Sequence, residues 1–217
     1  MKISPSLLAA DFANLQASVA KIERTVEMLH LDVMDGNFVP NLSFGPNVIE
    51  ALRPHSNLFF DVHLMIERPE RYLEAFRKAG ADGITIHYES TENPAKVLKT
   101  IRAMGASPAI AISPDTKPEV LFPLLPLCDM VLVMTVYPGF GGQKLIPACL
   151  EKATVLKNEI ERQGLSVSVQ ADGGIGAANL ADVLRAGINV VVAGSAVFGA
   201  EKPEEAVAAM RAVEKSL

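Results

Sequence analysis

The chain of 217 residues is 49% apolar and 21% charged, a composition typical of a globular protein. Its net charge of -5 leaves no basic surface that could neutralise a nucleic-acid backbone, so we expect no nucleic-acid partner. No apolar segment approaches the roughly 18 residues of a membrane span, and the N-terminus lacks a signal-peptide pattern. We therefore expect a cytoplasmic protein with no membrane partner, whose two cysteines, Cys128 and Cys149, are reduced and buried.

Short β-branched segments alternate with longer amphipathic segments along the whole sequence. Nearly continuous apolar runs are typical of parallel strands that are covered on both faces. The predicted strands are Lys2–Leu8, Met28–Val33, Leu58–His63, Gly83–His87, Ser107–Ile112, Met130–Thr135, Ser166–Ala171 and Asn189–Ala193. The predicted helices are Asn14–Glu23, Pro46–Leu52, Pro69–Ala79, Pro94–Met104, Lys117–Leu124, Pro147–Gln163, Gly176–Ala186 and Pro203–Ser216.

This strict alternation predicts an α/β protein that consists of a single (β/α)8 TIM barrel domain over residues 1–217. Eight units of about 27 residues each suit a compact barrel with few insertions. An open, doubly wound sheet is the alternative architecture, but it more often has fewer strands and a topological switch point.

A TIM barrel carries its functional groups at the carboxyl ends of its strands. His30 and Asp32 lie two residues apart on the second predicted strand and therefore face the same way. His63 ends the third strand, where Asp61 shares its face and could orient a neighbour or merely pair, and Asp172 follows the seventh strand. An inward aspartate is costly unless it is paired or binds a metal. Two imidazoles and two carboxylates at one mouth favour one divalent ion, which could be Zn, Mn, Fe or Co.

The other two histidines are assigned structural roles. His87 closes the fourth predicted strand, and we expect a packed or hydrogen-bonded residue at the rim of the barrel. His55 follows a proline near the end of a helix, and we expect it to be solvated.

Glycine-rich loops follow the last three predicted strands, at Pro138–Gln143, Asp172–Gly176 and Ala193–Ala196. Exposed amides near a helix start favour an anion, and TIM barrels commonly bind phosphate at the loops after strands 7 and 8. The first of these loops is long enough to act as a lid over a ligand.

Three methionines fall near the mouth of the predicted barrel: Met34, Met65 and Met134. Methionine is by default a filler of the core. Their common placement also permits an apolar, polarizable wall beside the reacting carbons.

Together these residues resemble the D-ribulose-5-phosphate 3-epimerase family, whose barrel is of the ribulose-phosphate-binding type, over essentially the whole chain. The stretches that carry the resemblance are Ile3–Ser6, Ala10–Phe12, Leu29–Asn41, Val62–Met65, Val133–Val136, Pro138–Gln143, Asp172–Gly174 and Gly194–Ala196. The resemblance implies interconversion of D-ribulose 5-phosphate and D-xylulose 5-phosphate at C3 through a metal-stabilised enediolate, in the pentose phosphate pathway. A small sugar phosphate is the implied partner, and we expect a homo-oligomer.

The resemblance also implies roles for individual residues. Asp32 and Asp172 are the implied acid/base pair. The implied metal ligands are His30, Asp32, His63 and Asp172. The implied substrate-binding residues are Ser6, His63, Met34, Met65, Met134, Gly139, Gly141, Gly142, Asp172, Gly173, Gly174, Gly194 and Ser195.

A few positions depart from the common family pattern. Thr25–Glu27 replaces a frequent Gly-Ala-Asp, Ala9 stands where serine is frequent, and Gln170–Ala171 replaces the usual Glu-Val. Tyr137 precedes the predicted lid where a smaller or more polar residue is common, which leaves its effect on the lid and on substrate preference open. None of these changes removes an implied catalytic group.

Other functions fit parts of the sequence. A 3-epimerase for a hexulose 6-phosphate such as allulose 6-phosphate would use the same barrel and metal, and Gly141–Gly142 favours the pentulose enzyme. Another phosphate-binding barrel enzyme, a decarboxylase or an aldolase, is a second alternative. A Schiff-base aldolase would need a buried lysine at a strand end, which the predicted strands lack. A non-catalytic barrel that senses a sugar phosphate would not need the four-ligand set.

Overall fold

The computed structural model describes every residue from Met1 to Leu217. Its strands are β1 (Lys2–Ser4), β2 (Met28–Met34), β3 (Phe59–Met65), β4 (Gly83–His87), β5 (Ser107–Ile112), β6 (Met130–Met134), β7 (Ser168–Asp172) and β8 (Val190–Val192). All neighbouring strands pair in parallel, in the order β1-β8-β7-β6-β5-β4-β3-β2. A parallel bridge between Ser6 and His30 brings the two ends of this sheet together. The predicted TIM barrel is confirmed.

Helices cover the outside of the barrel between the strands. They are α1 (Leu15–Ile22), α2 (Pro46–Leu52), α3 (Leu73–Ala79), α4 (Pro94–Ala103), α5 (Ala148–Arg162), α6 (Leu180–Arg185), α7 (Ser195–Phe198) and α8 (Pro203–Lys215). Short 3-10 helices occupy Leu7–Ala9, Arg53–His55, Pro69–Arg71, Tyr88–Ser90 and Pro118–Leu127. None of these helices has both the length and the apolar character needed to cross a lipid bilayer.

The predicted helix at Lys117–Leu124 is wrong in type. Residues Pro118–Leu127 form a 3-10 helix instead, with Pro123 and Pro126 inside it. Each proline lacks a backbone N–H and its ring clashes with the preceding turn, so this segment cannot build the hydrogen-bond ladder of an α-helix.

Most predicted elements match the structure to within two residues at each end, and three others differ by more or are divided. The first strand stops at Ser4, because the Ser6 hydroxyl accepts the N–H of Leu8 and begins a 3-10 turn there. The predicted helix at Gly176–Ala186 begins only at Leu180, since the side chain of Asn179 ties the preceding turn to the backbone of Gly174 and Gly176. The predicted helix at Pro69–Ala79 is divided into a 3-10 turn and α3.

The strands are apolar along their length because both of their faces are buried. Their outward side chains pack with the helices into one core cluster of 49 residues. Inside the barrel, Met28, Ala109, Met130 and Val190 fill the amino-terminal end. The next inward side chains are polar and fully buried, and they are Ser4, His30, Asp61, Thr85 and Gln170. The filled interior leaves the carboxyl ends of the strands as the place for a site.

Candidate active site

The four side chains predicted as metal ligands lie together at the carboxyl ends of β2, β3 and β7. Nε2 of His30 lies 3.2 Å from Oδ1 of Asp32 and 3.2 Å from Nδ1 of His63. Nδ1 of His63 lies 3.0 Å from the same oxygen of Asp32. Oδ2 of Asp172 lies 3.8 Å from Nε2 of His30 and 3.9 Å from Nδ1 of His63. One potential ligand atom from each residue therefore lies within 4.8 Å of the others.

These separations fit one divalent ion. Ligand atoms bonded at about 2.1 Å in a tetrahedron lie roughly 3.4 Å apart. The measured separations of 3.0 to 3.9 Å bracket that value. Two imidazoles with two carboxylates suit Zn, Mn, Fe or Co rather than Mg or Ca, which prefer an all-oxygen shell.

Strand register produces this convergence. Asp32 on β2 lies opposite His63 on β3, and Asp172 on β7 lies opposite Met134 on β6. His30 and Asp32 share the inward face, as the two-residue period of a strand predicts. All four ligand candidates thus point into the barrel mouth without any loop having to carry them.

A buried carboxylate holds His30 from the other side. Nδ1 of His30 lies 2.7 Å from Oδ2 of Asp61, which also accepts the side-chain amide of Gln170 at 2.6 Å. Asp61 therefore does orient a neighbour, and that neighbour is His30. Because Nδ1–H faces the carboxylate of Asp61, Nε2 of His30 points toward the candidate metal position, where it lies 3.2 Å from Oδ1 of Asp32. Carboxylate–histidine pairs of this kind fix the tautomer of metal-ligating histidines.

The two acids have opposite pKa shifts in the metal-free protein. Burial raises the pKa of Asp32, but His30 and the hydrogen bonds from His30 and His63 outweigh it and hold that pKa well below its usual range. Burial and the negative charge of Asp32 raise the pKa of Asp172 to about 7. At neutral pH, and without a metal ion, Asp32 is therefore ionised and can act as a base, while Asp172 readily holds a proton.

The remaining histidines behave differently from each other. His55 is exposed, as expected. His87 is fully buried, and its Nε2 lies 2.8 Å from Nε2 of His63. The expected hydrogen-bonded histidine is thus present, and its partner is a candidate metal ligand.

A cavity of about 700 Å³ opens directly above the four ligand candidates. Every residue predicted to bind substrate lines it, except His63, which lies beneath its floor. Those lining residues are Ser6, Met34, Met65, Met134, Gly139, Gly141, Gly142, Asp172, Gly173, Gly174, Gly194 and Ser195, and Asp32 lines the cavity as well. The Ser6 hydroxyl donates to Oδ2 of Asp32 at 2.6 Å and so fixes that carboxylate at the cavity wall. The three methionines are buried and form an apolar wall.

One end of the cavity presents backbone donors. The N–H groups of Gly174, Gly194 and Ser195 have no acceptor within the protein. Gly174 has a φ of +67°, and a Cβ there would lie 2.3 Å from the backbone nitrogen of Leu145. Only glycine can bring the backbone this close, so the turn after β7 requires it.

The loop between β6 and α5 crosses the cavity and is tied down at several points. The side-chain amide of Asn41 donates to the carbonyl of Gly139 at 2.7 Å, and that of Gln143 bridges the carbonyls of Tyr137 and Phe140. The Tyr137 hydroxyl donates to Asp115 at 2.9 Å. The rings of Tyr137 and Phe140 are about half exposed. This loop has the position of the predicted lid.

Comparison with known proteins decides the family. The model described as "Ribulose-phosphate 3 epimerase family" matches residues 2–198. The chain is 43% identical to the cytoplasmic isoform of ribulose-phosphate 3-epimerase from Oryza sativa. The match covers 97% of this chain and 92% of that protein. It is 44% identical to ribulose-phosphate 3-epimerase from Mycobacterium bovis, and this match covers 96% of this chain and 91% of that protein.

The chain belongs to the ribulose-phosphate 3-epimerase family. The resemblance read from the sequence is therefore confirmed.

Solved structures with much lower identity share the fold of this epimerase-family chain. 3-Keto-L-gulonate-6-phosphate decarboxylase from Vibrio cholerae has a TM-score of 0.73 at 17% identity and covers 99% of this chain and 97% of its own. 3-Hexulose-6-phosphate synthase from Salmonella typhimurium has a TM-score of 0.72 at 18% identity, and the match covers 100% of this chain and 99% of that chain.

The sequence did not identify every polar side chain around the site of this epimerase-family protein. Gln170 was noted only as a departure from the family pattern, yet it holds Asp61. Its position two residues before Asp172 on the same strand face was an available signal. Glu89 and Asn41 gave no signal, because Ser113, Thr116 and Gly139, which donate to or accept from them, lie in loops distant in the sequence.

Proposed function

We propose that this protein interconverts D-ribulose 5-phosphate and D-xylulose 5-phosphate by moving the proton on C3. The observation that carries the proposal is the pair Asp32 and Asp172, whose oxygens come within 4.8 Å of each other and of two imidazoles at the cavity floor. Two carboxylates that reach a carbon from different sides can remove a proton on one face and return one on the other.

The residues support a balanced proton transfer. The carboxylate that acts as base breaks the C3–H bond, and the electron pair moves to the neighbouring carbonyl oxygen and gives an enediolate. The other carboxyl group then delivers a proton to the opposite face of C3, and the carbonyl re-forms. Asp32, held ionised and oriented by Ser6, suits the first role in one direction. Asp172, which reaches the same cluster from β7, suits the second, and the roles exchange in the reverse direction.

A divalent ion held by His30, Asp32, His63 and Asp172 would supply Lewis-acid stabilisation for the negative charge that develops when the proton leaves. No redox cofactor is required, because the substrate and product have the same oxidation state. Met34, Met65 and Met134 give the reacting carbons an apolar surface that keeps bulk water away.

The phosphate group is assigned to the glycine-rich end of the cavity. The free N–H groups of Gly174, Gly194 and Ser195 are donors that suit an anion. The amides of Gly141 and Gly142 in the lid loop complete this end of the cavity. The glycine-rich end of the cavity and the carboxylate pair are separate, and the substrate therefore binds in one orientation.

Metal analysis and paired substrate assays test this function. Purified protein should contain about one equivalent of a divalent transition metal, and chelation should remove both metal and epimerisation. Turnover of ribulose 5-phosphate should exceed that of allulose 6-phosphate. The reverse preference would replace the proposed substrate with a hexulose 6-phosphate, and a metal-free enzyme of full activity would overturn the metal role.

The proposed reaction belongs to the pentose phosphate pathway, and the cytoplasmic isoform named for the rice relative supports the same location here. We propose that residues 1–217 act as one domain within a homo-oligomer. Size-exclusion chromatography with light scattering tests the oligomer, and a monomeric mass would contradict it.

A further inference from the structure

Side chains of two other loops hold the lid. Asn41, in the loop after β2, donates to the carbonyl of Gly139 at 2.7 Å. Asp115, in the loop after β5, accepts the Tyr137 hydroxyl on its Oδ1 at 2.9 Å. Asp115 is exposed, and its carboxylate has no other hydrogen-bond partner. The contact with the lid therefore depends on whatever fixes the backbone on either side of Asp115.

One lysine of α5 fixes that backbone. The ammonium of Lys152 donates to the carbonyl of Thr116 at 2.7 Å, to that of Ser113 at 3.3 Å and to that of Pro114. These three carbonyls flank Asp115 in the sequence on both sides. An ammonium has three N–H donors and no acceptor, so the whole polar end of Lys152 is committed to this loop.

The position of Lys152 in the chain links the loop to both ends of the lid. α5 begins at Ala148, directly after the lid loop, and Lys152 lies in its second turn. The backbone N–H of Ile146 donates to the carbonyl of Thr135 at 2.8 Å, which brings the end of the lid loop back to its start. The lid thus begins beside a tyrosine held by Asp115 and ends at the helix that holds the loop of Asp115.

We propose that Lys152 is a positioning residue that holds Asp115 where it accepts from Tyr137 and so keeps the lid in place over the cavity. Lys152 does not line the cavity, so its effect on the substrate must pass through Asp115 and the lid. Glu89 accepts the backbone N–H of Ser113 from the other side, so the loop should stay attached when Lys152 is replaced. The kinetic part of the inference rests on the function proposed above.

Lys152→Met removes the three donors and keeps most of the side-chain volume. We expect the KM for ribulose 5-phosphate to rise about two- to tenfold, as for the loss of one hydrogen bond, with kcat within about twofold. Lys152→Arg keeps the charge, but a planar guanidinium cannot direct three donors at three converging carbonyls, so it should restore only part of the loss. Lys157→Met is the matched control on the same helix, because that ammonium pairs only with the exposed Glu161. Its KM should equal that of the wild type.

A double-variant cycle separates positioning from a general structural role. If Lys152 acts through Asp115 on Tyr137, its loss should add nothing once Tyr137→Phe has removed that contact. The KM of Lys152→Met with Tyr137→Phe should therefore be no higher than the larger of the two single-variant values. A lysine that only stabilises α5 would lower the melting temperature and leave KM unchanged. An unchanged KM in Lys152→Met, or two effects that multiply, would overturn the inference.

Fluorine-19 NMR of protein labelled with 3-fluorotyrosine reads the lid contact without substrate. The chain has three tyrosines, and Tyr137→Phe assigns the lid resonance by its disappearance. Lys152→Met should move the Tyr137 resonance, Lys152→Arg should move it less, and Lys157→Met should leave it in place. If Lys152→Met does not fold, Lys152→Arg gives the same comparison. An unmoved Tyr137 resonance in the folded Lys152 variants would overturn the inference. A shifted resonance in a protein that does not epimerise ribulose 5-phosphate would instead overturn the proposed function.

Discussion

The side-chain amide of Gln170 donates to Oδ2 of Asp61 at 2.6 Å in the centre of the barrel. The two residues are 109 positions apart and meet only because the strands close into a barrel. The same oxygen of Asp61 lies 2.7 Å from Nδ1 of His30. Burial raises the pKa of Asp61, but the charge and hydrogen bond of His30 and the amide of Gln170 lower it below its ordinary value. Gln170, which does not line the cavity, therefore helps to orient His30 toward the candidate metal position.

Asp61→Asn should weaken metal binding while the ligands themselves stay intact. The amide oxygen can still accept from His30, but the negative charge that favours its Nδ1–H tautomer is gone. We expect roughly a 10-fold loss of Zn²⁺ or Co²⁺ affinity, measured by competition with a chromophoric chelator. Asp182→Asn, on an exposed face of α6, is the control and should bind like the wild type. Equal affinity for Asp61→Asn would show that Asp61 only packs.

Gly174→Ala should weaken anion binding by more than the strain of a left-handed alanine alone would explain, because the new Cβ also clashes with its neighbours. A Cβ at Gly174 would lie 2.3 Å from the nitrogen of Leu145 and 2.7 Å from the carbonyl oxygen of Gln143, so the turn must shift. Gly105→Ala is a matched control, because Gly105 also has a positive φ, +75°, but a Cβ there meets nothing within 4 Å.

Both alanine variants share the strain of a left-handed residue, about 1–2 kcal/mol. Only Gly174→Ala should raise the KM for ribulose 5-phosphate, by at least about 10-fold, which corresponds to about 1.4 kcal/mol. Similar KM values for the two variants would remove Gly174 from the phosphate site.

The metal-free protein should lose stability through Asp172 as the pH rises. Its pKa is raised from 3.8 to about 7, so the folded state holds this proton more tightly than the unfolded state does. The resulting stabilisation is complete below the unfolded pKa and is lost as the pH rises through 7, with a slope of up to about 1.4 kcal/mol per pH unit. Urea unfolding of chelator-treated wild type and Asp172→Asn between pH 5 and pH 8 measures it. The wild type should decline more steeply, and parallel curves would contradict the raised pKa.

Tyr137→Phe should loosen the lid without harming the chemistry. The change removes the hydrogen bond to Asp115, which joins the lid to the loop after β5. One such bond contributes about 0.5–1.5 kcal/mol, so the KM should rise about two- to tenfold with kcat within a factor of about two. Tyr72→Phe, at another half-exposed tyrosine, is the control. An unchanged KM would mean that the lid does not depend on this contact.

The strand periodicity and the strand ends explain what the sequence could predict. The two-residue spacing of His30 and Asp32 alone predicts that they share one strand face. The eight alternating strand and helix segments predict a barrel, in which Asp172, at the end of the seventh strand, lies at the same mouth. The hydrogen bonds to Glu89 could not be predicted, because Ser113 and Thr116 donate to it from the loop after another strand. The helix type after β5 was missed although its signal, two prolines inside the segment, stands in the sequence.

The central claim is that Asp32 and Asp172 carry the proton on the two faces of C3. The most direct measurement follows loss of the C3 proton from each epimer in D2O by NMR, with Asp32→Asn and Asp172→Asn. The account predicts that each variant folds and that epimerisation falls by about 10²- to 10⁴-fold. Any exchange that remains should be confined to opposite epimers in the two variants. Near-normal turnover with exchange from both epimers in either variant would contradict the two-carboxylate mechanism.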